Sequence, residues 1–187
     1  TAIFGKGPTP AALVPAGRSL PRIMLIKGIP GQRNDGRLNG VIRQRGSAIC
    51  GVGLVSERET AYPLANGDTL WRLDCAESDS ADATIGQRAA WLVQRPDGQY
   101  LSAGFPRPEQ GRAALHGPLP NSSFDPVSGL LTATLYYASE GDCGWRRQWG
   151  WNGKAWQLVS GRELHGCLGV MPDSWLITWR TGSASPP

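Results

Sequence analysis

The sequence predicts a mainly β protein: twisted antiparallel sheets with hairpins, few short helices and two disulfides. Three observations carry this. The 187 residues include 25 glycines and 15 prolines, a density that suits short strands joined by turns better than long helices. Short apolar or alternating runs are bounded by Asn-Gly and Asp-Gly pairs, which supply the positive φ that hairpin turns need. Four cysteines stand without any Cys-x-x-Cys pair, which disfavours a zinc knuckle or a thioredoxin-type redox site and leaves disulfides as their explanation. With 40% hydrophobic and 18% charged residues the composition is globular and excludes a disordered chain.

Taken in order, residues 1–28 contain Pro8, Pro10, Pro15 and Pro21 and read as an extended strap, with one helical turn at Ala11–Val14 and a short strand at Ile23–Ile26. Val41–Arg45 reads as a strand and Ser56–Ala61 as a short helix. Asn66-Gly67-Asp68 turns the chain into a strand from Thr69 to Cys75. Asp97-Gly98 and Asn152-Gly153 each predict a hairpin on a two-residue type I′ turn. In the second, Trp149 would face Trp156, and Trp145, Arg147, Trp149 and Trp151 would share one face with Trp156 and Leu158. A last strand, Trp175–Arg180, precedes a Ser/Pro tail from Thr181 that is expected to fray. The elements divide into a first lobe over 29–115 with Cys50 and Cys75 and a second over 116–187 with Cys143 and Cys167, in one compact unit.

Four cysteines allow three pairings. The near-equal spacing within Cys50/Cys75 and Cys143/Cys167, against the long gap between, favours sequential bridges and hence an oxidising compartment. No run of about 18 apolar residues is present, so no membrane span is expected. The net charge is +4, and the basic residues concentrate in the N-terminal third, where only Asp35 and Glu57 oppose Lys6, Arg18, Arg22, Lys27, Arg33, Arg37, Arg43, Arg45 and Arg58. They are spaced singly, without clusters or an RNA-binding aromatic motif, which argues against nucleic acid as partner.

The tryptophan face offers two readings, a sugar-stacking platform or core packing. As a binding surface it comprises Trp151, Trp149, Trp156 and Arg147, with Trp151 near the hairpin tip the most exposed. Asp74, Glu77, Asp79 and Asp82 could ligate Ca²⁺, but no calcium-loop pattern is present and a solvated loop is preferred, so no metal is expected. His116 and His165 are the only histidines, and either could act as a general base with Asp142, Asp125 or Ser123. No nucleophile-elbow or His-Glu-x-x-His motif accompanies them, and no cofactor is expected.

The C-terminal third carries Asn121, Phe124-Asp125, Gly129-Leu130, Gly141-Asp142-Cys143-Gly144, Trp149-Gly150-Trp151-Asn152-Gly153, Trp156, Leu158, Cys167, Gly169, Trp175 and Arg180. This set resembles the bacterial exported family called domain of unknown function 1176. Gly5-Lys6-Gly7-Pro8, Val14-Pro15 and the Leu70-Trp71…Cys75 element resemble it further upstream. Ala76-Glu77-Ser78-Asp79 and Ala138-Ser139-Glu140 depart from its pattern. The resemblance implies a periplasmic or secreted bacterial protein of which this chain is the C-terminal portion. The favoured function is non-enzymatic binding of an envelope protein or a glycan by a monomer. A hydrolase using His116 or His165, or a structural envelope component, are the alternatives.

Overall fold

The computed structural model describes residues 25–33, 40–76, 86–101, 104–108 and 113–181. One sheet orders β1 (Gln32–Arg33), β2 (Leu54–Pro63), β3 (Thr69–Cys75), β4 (Arg88–Gln94) and β5 (Tyr100–Leu101) as neighbours, and β6 (Leu119–Pro120) also pairs with β4. The other orders β7 (Ser123–Asp125), β8 (Leu130–Tyr136), β9 (Gly144–Trp151), β10 (Trp156–Leu164) and β11 (Leu176–Arg180), and every pairing is antiparallel. The mainly β expectation holds, and both sequential disulfides are formed.

Turn chemistry explains the hairpins. Leu64 N–H donates to Asp68 O and Gly67 N–H to Leu64 O, with Gly67 at φ 85°. The β4–β5 turn repeats this arrangement, with Arg95 N–H to Gln99 O, Gly98 N–H to Arg95 O, and Gly98 at φ 83°. It is therefore a three-residue loop, not the expected two-residue one: Pro96 presets its own φ and Gly98 takes the left-handed position that closes the loop. At the β9–β10 tip the register differs by two residues from expectation, pairing Trp151 with Trp156 and Trp149 with Leu158. Asn152 Oδ1 accepts the N–H groups of Lys154 and Ala155, which moves the turn's centre to Gly153-Lys154. A shift of two preserves which side chains share a face.

Two elements are exchanged relative to expectation. Residues Gly40–Cys50 form a helix, α1, where a strand over Val41–Arg45 was expected, and residues 56–61 belong to β2 instead of a helix. In α1, Ile42, Gly46, Ile49 and Cys50 fall at helical spacing and face sheet one. A Cβ at Gly46 would collide with Leu73, so glycine lets the helix axis lie close to the strands. In β2, Glu59–Pro63 pair with β3, and Thr60 and Ala61 pair also with β1, which draws the helix-forming Ser-Glu-Arg-Glu run into the strand.

Strand β4 is covered on both sides. Ala89, Trp91 and Val93 join Leu64, Leu70 and Leu119 against Phe124, Leu131, Trp149, Trp151 and Trp156 of sheet two. On its other face, Ala90 and Leu92 pack with Leu73 against Ile42 and the Cys50–Cys75 bridge. Three layers result: α1, sheet one and sheet two. Each large side chain buried between them contributes about 1.5–3 kcal/mol. The two regions expected as lobes share the larger core, and β6 carries residues of the second onto sheet one.

The strap is described from Leu25 onward. Ile26 N–H bonds to Trp151 O, Gly28 N–H to Pro126 O and Ile29 N–H to Pro63 O, so the segment stitches sheet two to sheet one. Leu25 and Ile26 form no strand; Ile23, the helical turn at 11–14 and the rest of the strap lie outside the described residues. Thr181, assigned to the tail, is buried and bonded to Val159 O, and 182–187 lie outside the description.

Candidate functional site

Alternation along β9 does put Trp145, Arg147, Trp149 and Trp151 on one face, and that face is the core. Trp149 and Trp151 are 0% exposed, and Trp156 and Arg147 are buried. Trp149 Nε1 donates to Pro106 O at 2.7 Å and Trp151 Nε1 to Asp68 Oδ2 at 2.9 Å, so both buried indoles find acceptors. Phe105 packs against Trp149 and Trp156 at 5.3 and 5.4 Å, and the Arg147 guanidinium lies 4.5 Å over the Trp145 ring. The expected exposure of Trp151 is thereby corrected: the hairpin tip sits under the strap and against the β2–β3 turn. These four residues form no solvent-facing platform.

The histidines are brought to no carboxylate of the kind expected. His116 is exposed and makes no ion pair with a described residue. His165 Nε2 lies 3.5 Å from Glu163 Oε1, its ring stacks on Tyr137 at 5.9 Å, and the Tyr137 hydroxyl donates to the same Glu163 oxygen at 2.9 Å. Asp142 instead accepts the Gly169 N–H at 2.8 Å, and Asp125 accepts from Val127 and Ser128 within its own turn. The Ser128 hydroxyl bond, then the Val127 N–H, hold the Asp125 carboxyl below its usual value. His165 projects into solvent at the surface.

Asp142, Cys143 and Cys167 place three potential ligand atoms within 4.8 Å of one another. The two sulfurs are bonded to each other, which leaves one carboxylate and no thiolate to hold an ion. Asp74 is buried against Arg72 at 3.0 Å and Gln87 at 2.9 Å, while Glu77, Asp79 and Asp82 lie outside the described residues.

A different surface gathers at the far end of sheet two. Leu168, Met171, Leu176 and Ile177 are 72%, 71%, 69% and 54% exposed. The segment bearing them is held in place. Cys167 is tied to Cys143, and Trp175 is buried with its Nε1 on Val170 O and its ring edge-on to Tyr136. Arg146 bonds the Asp173 carboxylate, and Arg162 bonds the Asp173 carbonyl. β11 forms one edge of its sheet, five residues long, and pairs only with β10 among the described residues. Among the described residues the other edge strands are short: β1, β5 and β6 have two residues each and β7 has three. A pattern signal for this rim exists in the sequence, since adjacent Leu176 and Ile177 in an alternating strand cannot both face a core.

Architecture and site together define a class: a two-sheet antiparallel β protein with one disulfide-anchored helix and a pinned apolar rim. The family model described as protein of unknown function (DUF1176) matches residues 1–182, and the chain belongs to that family. Neither the curated proteins nor the solved structures contain a match. No helix among the described residues is long and apolar enough to cross a membrane, and the two disulfides fit an oxidising compartment.

Proposed function

We propose that this chain is a non-enzymatic binding protein of the bacterial periplasm or cell exterior, whose partner is an envelope protein that adds an extended segment to β11. The observation that carries the reading is the contrast among sheet edges. Proteins blunt edges by shortness, charge or proline; among the described residues the other edge strands run two or three residues, while β11 runs five and exposes the apolar Leu176 and Ile177. Strand addition draws affinity from main-chain hydrogen bonds and specificity from alternate side chains, and both are on offer at Leu176 and Ile177. Leu168 and Met171 extend the apolar surface beyond the strand, and the disulfide keeps the rim ordered before binding, which lowers the cost of association.

Photo-crosslinking tests this. A photoreactive residue at Ile177, and separately at the more exposed Val127 on the β7–β8 turn, is irradiated in bacterial envelope extract. A discrete adduct from position 177, absent from 127 and lost when Leu176→Lys is added, is the expected result. Equal labelling from both positions, or none from 177, overturns the reading.

A further inference from the structure

We infer that the groove between α1 and the β4–β5 hairpin is a saccharide site selective for sugars that carry a carboxylate. It is independent of the β11 rim. The groove encloses about 540 Å³ and is lined by Val41 and Arg45 of α1 and by Gln94, Gly98, Gln99 and Tyr100 of the hairpin. That volume falls within the range of small-molecule sites.

Its chemistry is one-sided. Among the described residues no carboxylate lines it, and its polar side chains are one guanidinium, two amides and the Tyr100 phenol. Arg45 Nη1 donates to Tyr100 O at 3.1 Å, and the guanidinium stands 5.8 Å from the Tyr100 ring centroid. This bond positions the group and leaves further N–H donors of its fork for a ligand. Trp71 Nε1 donates to Gln94 Oε1 at 2.9 Å, which fixes the amide's orientation and leaves its NH₂ group as a donor. Gln99 adds an amide that can both give and accept, as sugar hydroxyls require. Tyr100 and Val41 supply an aromatic and an aliphatic wall for the apolar faces of pyranose rings. A ligand that satisfies all of these is rich in acceptors and hydroxyls, has flat apolar faces, and carries a single planar anion for the single guanidinium.

Both walls are rigid. Cys50–Cys75 and the close contact at Gly46 hold α1 on the sheet, and the Arg95–Gln99 bond closes the hairpin. Where a Gly98 Cβ would stand, no atom of the described residues lies within 4 Å, so among these residues the groove stays open at the turn.

The Trp71 indole N–H is a built-in reporter, assigned in the ¹H–¹⁵N spectrum by its loss in Trp71→Phe. The protein is titrated with tetragalacturonate, with neutral cellotetraose and with tetraglutamate peptide. Expected is a saturable Trp71 shift with tetragalacturonate, at least about tenfold weaker for cellotetraose and in Arg45→Gln, the loss of one charge-assisted contact. Gln99→Trp, which fills the groove from an exposed turn position, abolishes the shift while the other indole signals stay in place. No saturable shift at millimolar tetragalacturonate, equal affinity for the neutral tetramer, or preference for the acidic peptide overturns the proposal.

Discussion

The two disulfides close loops of almost the same length, 25 and 24 residues, in very different surroundings. Cys50 and Cys75 are both buried and join the last turn of α1 to the last residue of β3, inside the smaller core. Cys143 is buried but Cys167 is exposed, and their bridge closes the open end of the β9–β10 hairpin at the apolar rim. Loop length governs the chain-entropy contribution, about 3.5 kcal/mol for each in that account, so it cancels in a comparison. What differs is what each bridge packs against. The first stabilises a layer, and the second shapes a surface.

Removing each bridge separately measures that difference. Cys50→Ser with Cys75→Ser is expected to be the costlier, about 4–5 kcal/mol by chemical denaturation, since two buried hydroxyls add to the lost constraint. Cys143→Ser with Cys167→Ser should cost less, about 3.5–4 kcal/mol, since only the hydroxyl at position 143 is buried. It should also reduce the position-177 adduct, while the first pair should weaken tetragalacturonate binding instead. Equal costs would show that burial of the first bridge contributes nothing beyond chain entropy.

The opposite end of the β9–β10 hairpin has a noncovalent counterpart. Asp68, 1% exposed, accepts the Trp151 Nε1–H and an Asn66 side-chain N–H at 2.6 Å, with Arg95 at 3.5 Å. Asp68→Ala strands the Trp151 donor between the sheets and is expected to cost about 2 kcal/mol. Trp151 fluorescence should shift as the indole loses its acceptor. If the cost in Asp68→Ala vanishes, the strap bond from Ile26 alone suffices to fix this end.

Much of this fold is legible in the sequence, and for identifiable reasons. Gly67, Gly98 and Gly153 mark hairpins because only glycine takes their positive φ cheaply, and the spacing of the cysteines anticipates their pairing. The exchange of α1 and β2 is not legible. Val41 and Ile42 favour strand and the Glu-rich segment favours helix, while the deciding contacts, Gly46 on Leu73 and β2 on β3, are long-range. The tryptophan face shows the limit of alternation, which sorts side chains into two faces without saying which is inward. The packing partners answer that, with Asp68 of the β2–β3 turn and Pro106 of the segment between β5 and β6 accepting the indole N–H groups. The α1 groove is hidden for a similar reason: Arg45 and Tyr100 meet only once the helix docks.

The smallest expected effect concerns the β7–β8 turn, which belongs to the same sheet as the exposed bridge and is held without one. Asp125 accepts the Ser128 hydroxyl at 2.5 Å and the Val127 N–H at 3.0 Å, and these bonds lower its pKa from 3.8. A carboxyl with a depressed folded pKa contributes stability that is present above its unfolded value and is lost as pH falls through the folded one. The difference in melting temperature between wild type and Ser128→Ala, which removes the largest cause of the shift, should therefore be constant above about pH 5 and shrink towards zero as pH falls below 3.8. A difference unchanged down to low pH would assign the turn's stability to Gly129 at φ 72°, whose N–H bonds Asp125 O, and not to the carboxylate.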